Sequence, residues 1–253
     1  MKPDTLKDKE LVVFDLDGTL APSKQPMEPD MAIFMDKLLS RIKVAVISGG
    51  GFPQFETQFL NSFPAGVDGF VNLYLLPTSG TKFLVWNNVW VEVYAEHLSP
   101  KEKEMVMMSL HSSLNENGYV QPAKVYGQII EDRGSQITFS ALGQNAPLEL
   151  KKAWDPTLEK RLKIAESLKK RIPGFDVRVG GTTSIDITRR GVNKAYGIRK
   201  LEQYLKLSLE KIVFVGDALY YGGNDYPAKT TGVDCIQVAD PSDTKKLIAG
   251  WLK

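Results

Sequence analysis

The stretch from Leu11 to Leu20 reads LVVFDLDGTL and decides the fold that we expect for the rest of the chain. Its four apolar residues at the start are typical of a short parallel strand that is buried on both faces. Asp15 and Asp17 follow, and residues two apart in a strand point the same way. Both carboxylates are therefore expected to face one ligand beyond the strand's carboxyl end, where two close like charges favour a bound cation or a shared proton.

The same stretch has two other interpretations. One is a polar turn or a helix cap after a strand, because Gly18 allows a sharp turn and Thr19 adds a hydroxyl; these residues alone leave it open. The other is a calcium EF-hand loop. It is excluded because Gly18 comes too early in such a loop and Pro26 stands where the closing glutamate is needed.

Composition places the chain among ordinary globular proteins. Its 253 residues are 43% hydrophobic and 25% charged, which is enough for one large domain or two modest ones. A net charge of +2 gives no reason to expect nucleic acid or an anionic membrane as a partner, and no apolar run approaches a membrane span. The N-terminal MKPDTLKDKE lacks a signal's apolar core, and the single Cys235, predicted to be a buried thiol, fits a reducing cytoplasm.

Both ends of the chain alternate apolar strand segments with amphipathic helical segments. Asp30 and Ser242 are the predicted caps of two of these helices, and Trp86 and Trp90 are predicted to pack across a hairpin. The predicted strands and hairpin lie at 11–14, 44–47, 70–76, 82–93, 212–215 and 233–238, and the helices at 30–42, 54–63, 193–205 and 242–252. This alternation predicts an α/β core with a Rossmann-like parallel sheet and helices on both faces.

The middle of the chain has a different pattern of predicted helices and strands. Helices are predicted at 100–114 and 157–172, the second with Leu158 and Leu162 turned inward, and strands at 125–130, 136–142, 176–179 and 184–187. Helices and hairpins between segments of a parallel sheet predict an inserted α+β domain. We expect residues 1–95 and 189–253 to form the core and residues 96–188 to form the insert.

Polar residues follow several of the predicted core strands. They are Asp15, Asp17, Ser48, Asp217 and the Asn224-Asp225 pair, with Lys194 at the start of a helix. Phosphoryl transfer needs a nucleophile, a proton donor and positive charge around the phosphoryl oxygens, and this set supplies all of them. Each alone has another interpretation: Ser48 as a helix cap, Lys194 as a surface lysine, and residues 222–225 as a turn.

Roles follow from the chemistry of each group. Asp15 is predicted to attack phosphorus and form an aspartyl-phosphate, and Asp17 to protonate the leaving oxygen and deprotonate the next acceptor. Ser48 and Lys194 are predicted to bind phosphoryl oxygens. The predicted Mg²⁺ ligands are oxygens of Asp15 and Asp217 and the backbone carbonyl of Asp17, with support from Asn224 and Asp225.

Four segments resemble the motifs of the haloacid dehalogenase phosphotransferase superfamily. They are DLDGT at 15–19, Ser48 after VAVI, Lys194, and GDALYYGGND at 216–225. The insert resembles that superfamily's C2-type cap, and the long GDxxxxGGND spacing is similar to that of the eukaryote-type phosphomannomutases. The resemblance implies Mg²⁺-dependent phosphoryl transfer on a hexose phosphate, converting mannose 6-phosphate to mannose 1-phosphate, with a hexose bisphosphate as activator.

The resemblance also implies a substrate site shared with the cap. Arg133, Ser184 and Asp186 match substrate-binding residues of that family, and Gly49 is assigned with them. Departures occur at Lys24, Gln144 and Lys151, where arginines are expected, and at Ser48, where glycine is usual. A cap that closes during turnover and a homodimer formed through the cap are further expectations.

Two other functions stay open on the sequence. One is a sugar-phosphate phosphatase of the same superfamily, which shares the aspartyl-phosphate chemistry. The other is a phosphate-sensing or scaffold protein with a retained pocket, and the intact set of Asp15, Asp17 and Asp217 argues against it.

Overall fold

A computed structural model describes residues 6–64 and 66–253 of the chain. The first residues of the segment MKPDTLKDKE lie outside the described residues. The described strands are, in chain order, β1 Leu11–Asp15, β2 Lys43–Ile47, β3 Leu73–Leu76, β4 Lys82–Trp86, β5 Trp90–Ala95, β6 Ile130–Asp132, β7 Gln136–Ser140, β8 Phe175–Gly180, β9 Ser184–Arg189, β10 Ile212–Gly216 and β11 Asp234–Gln237. The α-helices are α1 Pro29–Leu39, α2 Phe52–Gln58, α3 Pro100–Glu116, α4 Leu148–Trp154, α5 Glu159–Arg171, α6 Lys194–Leu205, α7 Tyr226–Lys229 and α8 Pro241–Trp251.

These elements form two compact units. One contains the described chain up to Ala95 together with Asn193–Lys253, and the other contains Glu96–Val192. The first unit has a seven-stranded sheet in the order β11-β10-β1-β2-β3-β4-β5. Its first five strands pair in parallel, and β4 and β5 add antiparallel pairs at one edge. The predicted class, α/β with a mostly parallel sheet, is confirmed.

The central strand β1 is buried along its whole length, so alternate residues pack against helices on opposite faces of the sheet. Val12 and Phe14 belong to an apolar cluster that contains Met35 of α1 and Ile248 of α8. Val13 belongs to a second cluster with residues of α6 and α7. Two-sided burial explains the uninterrupted apolar runs of the parallel strands.

Several predicted boundaries in this unit are wrong. Helices α1 and α8 begin at prolines, whose fixed φ suits the first helical position. Asp30 therefore lies inside the first turn of α1 and does not cap it, and Asp240, not Ser242, caps α8 by accepting from the Asp243 N–H at 2.9 Å. The predicted helix at 54–63 is the shorter α2 followed by a separate 3₁₀ turn, Leu60–Ser62.

The aromatic residues near the sheet edge behave partly as predicted. Trp86 and Trp90 are directly opposed across the β4–β5 hairpin with ring centroids 5.2 Å apart, which confirms the predicted pair. Phe70 lies in a 3₁₀ turn and not in β3, because it packs on both tryptophans, at 5.4 and 5.7 Å. Cys235 in β11 is half-buried and not fully buried, and burial raises the pKa of its thiol to about 11.

The second unit has a four-stranded antiparallel sheet in the order β6-β7-β9-β8. Apolar residues of one face, including Ile137, Phe139 and Ile187, form a core with Leu110 of α3 and Leu168 of α5. The opposite face carries polar side chains, as alternation along the strands requires. Its α+β composition agrees with the predicted insert, and β9 runs to Arg189 within this unit.

Three predictions in this unit are wrong. The strand predicted at 125–130 begins only at Ile130, because the backbone of Tyr126 pairs with Leu142 and Asn145 in a loop. Helix α4 was not expected. Leu158 and Leu162 are exposed (44% and 54%), and Arg161 is buried in their place because Asp155 pairs with its guanidinium at 2.8 Å. None of the helices described above has both the length and the apolar composition of a membrane span.

Candidate active site

The site of the first unit lies where parallel strands end. Asp15 is the last residue of β1, and Asp217 follows β10, the strand paired beside it. Lys194 opens α6, and Asp225 directly precedes α7. Ligands of open α/β sheets bind at such carboxyl ends, so the topology brings together groups that are far apart in the sequence.

A buried ion network joins these groups. The Lys194 ammonium donates to Asp15 Oδ1 at 2.5 Å and also to Asp225 Oδ1. All three side chains are at most 3% exposed. The backbone N–H of Ala218 donates to Asp225 Oδ2 at 2.9 Å. Gly216 is needed beneath this carboxylate, since a Cβ there would lie 2.3 Å from Asp225 Oδ2.

Burial and charge shift the pKa values of this network. Burial raises the pKa of Asp15 well above its ordinary value against the lowering effect of Lys194, and the charges of Asp225 and Asp17 add to the rise. Burial alone would lower the pKa of Lys194, but Asp15 and Asp225 outweigh it and raise that pKa. Burial, followed by the charge of Asp225, raises the pKa of Asp217. The site therefore holds more negative charge than its single lysine relieves.

The donor set fits a hard divalent cation. Asp15, Asp217 and Asp225 each offer a carboxylate oxygen, and these oxygens lie within 4.8 Å of one another. Asp15 Oδ1 accepts from Lys194, but Asp15 Oδ2 is buried and has no hydrogen-bond partner, so it is an acceptor open to a cation. Thr19 holds Asp217 in place. Its Oγ1 donates to Asp217 Oδ1 at 3.2 Å and accepts from the Asp217 backbone N–H at 3.1 Å.

Two predicted metal residues behave differently from this set. The Asp17 carboxylate is held by nitrogen donors: the Lys24 backbone N–H at 2.7 Å, Gln54 Nε2 at 3.0 Å and Gln58 Nε2 at 3.2 Å. It is not one of the clustered carboxylates. Asn224 is exposed in the turn before α7. The role predicted for the Asp17 backbone carbonyl stays a prediction.

The other predicted residues of this unit are dispersed. Ser48 follows β2 and is buried, and its hydroxyl accepts the Gly50 N–H at 3.1 Å, so it organises the glycine turn before α2. Gly49 lies in the same turn. The Lys24 side chain is exposed and its backbone is left-handed, at φ 56°. The structure therefore ties Lys24 to Asp17 through its backbone N–H.

The arginine-replacing positions of the second unit form one cluster. Glu131 lies at its centre: Arg133 donates to Glu131 Oε2 at 2.8 Å, and the Gln144 amide nitrogen, turned towards the carboxylate, donates at 2.7 and 2.9 Å. Lys151 is buried and donates to the Gln144 carbonyl at 2.7 Å. The structure thus joins Arg133 and Gln144 through the Glu131 carboxylate, and it joins Lys151 to Gln144 through the Gln144 main-chain carbonyl.

Ser184 and Asp186 lie on the polar face of the antiparallel sheet. Asp186 Oδ1 accepts from Gln136 Nε2 at 2.9 Å and from Thr138 Oγ1 at 2.7 Å. The Ser184 and Ser140 hydroxyls are 3.2 Å apart on the same pair of strands. Cross-strand pairing therefore fixes both residues in place.

Some residues that contact the candidate site residues are not predicted by the sequence patterns. Gln54 and Gln58 are one helical turn apart on α2, so their shared face was a usable signal. Glu131 lies in β6 two residues before Arg133, which directly follows the strand, and this spacing lets the two side chains meet. Arg161 donates to the carbonyls of Gly180 and Gly181 at 3.1 and 2.7 Å and so fixes the turn before Ser184, but nothing in the helical pattern marks it.

The fold and the strand-end site define a class of protein, the haloacid dehalogenase-type phosphotransferases. A haloacid dehalogenase-like hydrolase from Bacteroides thetaiotaomicron has the same fold, with a TM-score of 0.60, 14% identity and coverage of 95% of this chain and 98% of that one. Plasmodium falciparum IMP-nucleotidase matches with a TM-score of 0.71 and 17% identity, over 95% of this chain and 68% of that one.

Sequence comparison then gives the family. The family model described as eukaryotic phosphomannomutase matches residues 31–253, and the chain belongs to that family. It is 28% identical to phosphomannomutase 1 of Homo sapiens, over 94% of this chain and 90% of that protein. It is 27% identical to the phosphomannomutase of Saccharomyces cerevisiae, over 98% of this chain and 94% of that protein. The predicted family resemblance and the predicted class of enzyme are confirmed.

Proposed function

We propose that the protein transfers a phosphoryl group within hexose phosphates, in the manner of a phosphomannomutase, through an aspartyl-phosphate at Asp15. One observation carries the proposal: a buried lysine and three carboxylates meet at the end of the parallel sheet. Membership of the phosphomannomutase family supports a sugar phosphate as substrate. The particular reaction that we propose is the conversion of mannose 6-phosphate to mannose 1-phosphate.

The residues of the chain divide the chemistry between them. An Asp15 oxygen forms a bond to phosphorus while the bond from phosphorus to the sugar oxygen breaks. Asp17 gives a proton to that leaving oxygen and later takes one from the next acceptor. Lys194 binds phosphoryl oxygens from its place beside Asp15, and Ser48 does so from the end of β2.

Magnesium is the cofactor that this donor set fits. Oxygens of Asp15, Asp217 and Asp225 would hold it, with the Asp17 carbonyl and Asn224 as further candidates, and bound Mg²⁺ would supply positive charge next to the phosphoryl oxygens. When all three carboxylates are ionised, their negative charge exceeds the positive charge of Lys194. A divalent cation would balance the excess.

We propose that the unit formed by Glu96–Val192 is the substrate-binding cap. Arg133 and Lys151 are both linked to Gln144, the first through Glu131, and Ser184 and Asp186 lie on the polar face of β9, where each has a partner on β7. Gly49 and Lys24 complete the predicted substrate set. A cap that closes in turnover would exclude water from the aspartyl-phosphate. A homodimer through this unit and a cytoplasmic location belong to the same proposal.

The second candidate is a sugar-phosphate phosphatase, which one observation favours. A mutase must hold the distal phosphate of a sugar bisphosphate, and a bidentate arginine does this better than lysine or glutamine. Here Gln144 and Lys151 stand at such positions, and Glu131 accepts from both Arg133 and Gln144. We therefore expect transfer that needs a bisphosphate activator and also releases free phosphate.

A panel of hexose 1- and 6-phosphates tests the function. Each is incubated with enzyme and Mg²⁺, with EDTA, and with Mg²⁺ restored after EDTA, and isomerised sugar and free phosphate are both measured. The proposal expects activity that EDTA abolishes and Mg²⁺ restores. Activity that survives EDTA contradicts the metal assignment, and no activity on any phosphate ester favours a sensing or scaffold protein.

A further inference from the structure

The Asp17 carboxylate has a shell of donors that the proposed chemistry does not by itself require. Asp17 Oδ1 accepts from the Lys24 N–H at 2.7 Å and from Gln58 Nε2 at 3.2 Å. Asp17 Oδ2 accepts from Gln54 Nε2 at 3.0 Å. Both glutamines come from α2, one turn apart, so a single helix face presents two amides to one carboxylate.

The glutamines are themselves held in place. Gln58 is 3% exposed, and its Nε2 also donates to the Gln25 carbonyl at 3.2 Å, so two acceptors determine where its amide nitrogen points. The Met27 N–H donates to the Gln58 main-chain carbonyl at 2.7 Å. Helix α2 is thereby tied to the loop that follows Asp17, and the Asp17 carboxylate is fixed between them.

A glycine makes room for the second amide. A Cβ on Gly50 would lie 2.2 Å from Gln54 Oε1, so any side chain at position 50 has to displace the end of Gln54. The φ of Gly50 is not in the left-handed region, so alanine fits the backbone there. The substitution Gly50→Ala should therefore displace the Gln54 side chain while leaving its amide group chemically unchanged.

The two oxygens of the Asp17 carboxylate accept different numbers of hydrogen bonds. A carboxylate oxygen has about two lone pairs, and the Lys24 and Gln58 donors occupy those of Asp17 Oδ1. Asp17 Oδ2 receives one donor from Gln54 and keeps a lone pair for a proton. Oδ2 is accordingly the oxygen that can carry the proton needed by a leaving group.

We propose that Gln54 and Gln58 are positioning residues for the acid–base carboxylate Asp17. Gln58 immobilises Oδ1, and Gln54 directs Oδ2, which gives its proton to the leaving oxygen as the phosphorus–oxygen bond breaks. Oδ2 later takes a proton from the incoming hydroxyl or water. This inference rests on the proposed phosphoryl transfer, and it assigns to α2 a role in proton transfer.

Leaving groups of different basicity test the inference. The value of kcat/KM reports transfer to Asp15, so it is measured for phenyl phosphate, whose leaving oxygen needs a proton, and for 2,4-dinitrophenyl phosphate, whose leaving oxygen does not. In Gln54→Ala, we expect kcat/KM to fall about tenfold for phenyl phosphate and less than about twofold for 2,4-dinitrophenyl phosphate, because only the first uses the general acid.

Three further variants separate positioning from packing. Gln54→Glu keeps the shape but presents no donor, so its loss on phenyl phosphate should equal or exceed that of Gln54→Ala. Gly50→Ala should reproduce the selective loss, and it should add little to Gln54→Ala in the double variant. Glu56→Gln, on an exposed position of the same helix, is the matched control and should match the wild type.

The outcomes are distinct. Equal losses on both esters in Gln54→Ala, or no loss on either, overturn the positioning role, and thermal unfolding followed by circular dichroism shows whether each variant is folded. Failure of the underlying function is detected separately. In that case the wild type hydrolyses neither ester with Mg²⁺, or Asp15→Asn retains activity on 2,4-dinitrophenyl phosphate.

Discussion

In the first unit, at the end of the parallel strands, a lysine contacts two carboxylates, whereas in the second unit a carboxylate contacts two donors. Lys194 donates to Asp15 and Asp225, and Glu131 accepts from Arg133 and Gln144. The first arrangement leaves an excess of negative charge that calls for a divalent cation. In the second, the positive charge of Arg133 is paired with the protein's own carboxylate, and under the proposed function this pairing would weaken the binding of a phosphate by the second unit.

The two units differ in how firmly their charged groups are held. Asp15, Lys194 and Asp225 of the first unit are buried and joined by short contacts, so they are fixed before a substrate arrives. The Arg133 and Glu131 side chains of the second unit are more exposed, at 14% and 17%, so solvent reaches this ion pair. We infer that the first unit determines which reaction occurs and that the second determines which product dominates.

The largest effect is expected from Asp15→Asn. The amide keeps the shape of the carboxylate but lacks its nucleophilic charge, so turnover of every phosphate ester should fall by at least about a thousandfold. Initial rates with Mg²⁺ on a hexose phosphate and on 4-nitrophenyl phosphate measure this. Near-normal activity in a folded Asp15→Asn protein rules out the nucleophile assignment and removes the basis of the comparison.

A smaller and selective effect is expected from Arg133→Ala. The loss of a hydrogen bond to a charged group costs about 1.5–3 kcal/mol, so kcat/KM for hexose phosphates should fall about ten- to a hundredfold. Hydrolysis of 4-nitrophenyl phosphate, which has no sugar, should change much less. Equal loss on both substrates would count against a substrate-binding role for the second unit.

Changes around Glu131 should alter the products more than the rate. Glu131→Gln removes the charge that Arg133 and Gln144 now contact, and Gln144→Arg restores a bidentate group. Each should raise the ratio of isomerised sugar to free phosphate by a few-fold to about tenfold, because the distal phosphate is held more firmly. Glu104→Gln, on the exposed side of α3, is the control. An unchanged ratio in both variants contradicts the anchoring argument.

The smallest predicted effect concerns the stability of the second unit. Hydrogen bonds from Arg189, followed by those from Ser99 at the start of α3, lower the pKa of Glu102 from 4.5 to about 2. Because the folded-state pKa lies below the unfolded value, the stabilisation is complete above pH 4.5 and is lost as the pH falls towards 2. Glu102→Gln should lower the free energy of unfolding by about 1–2 kcal/mol at pH 7.

Urea unfolding at pH 7 and at pH 3 checks this dependence. The difference between wild type and Glu102→Gln should shrink at the lower pH, where the wild-type carboxylate is almost fully protonated in the unfolded chain but still mostly ionised in the folded one. Glu104→Gln, at an exposed position two residues after Glu102 in α3, should show no such trend. A difference that is constant with pH shows that the charge of Glu102 is not the cause.

The sequence predicted the core more accurately than the insert. Apolar runs such as Leu11–Phe14 have no alternation, so they mark strands buried on both faces, and the parallel order then brings Asp15 and Asp217 together. Helices α1 and α8 begin at Pro29 and Pro241, whereas the sequence pattern predicts starts at the neighbouring polar residues Asp30 and Ser242. Proline is itself a signal for the first helical position, and it gives the correct start in both cases. In the insert, Arg161 broke the apolar pattern because its buried charge is paired with Asp155.

The candidate site was predictable as a set of residues but not as a set of contacts. Spacing placed Asp15 and Asp17 on one face, but it could not show that Asp17 is held by Gln54 and Gln58 while Asp15 contacts Lys194. The position of Glu131 depends on the pairing of β6 with β7 and on the loop that carries Gln144. Such contacts depend on tertiary packing, which a local pattern does not specify.

Phosphorus NMR of mannose 1-phosphate tests the central claim most directly. The sample contains enzyme, Mg²⁺ and a catalytic amount of hexose bisphosphate, and spectra are recorded over time. A mutase with a weakened distal anchor should produce a growing 6-phosphate signal together with a slower signal from inorganic phosphate. Inorganic phosphate with no 6-phosphate signal would contradict the account and assign the protein to the phosphatases.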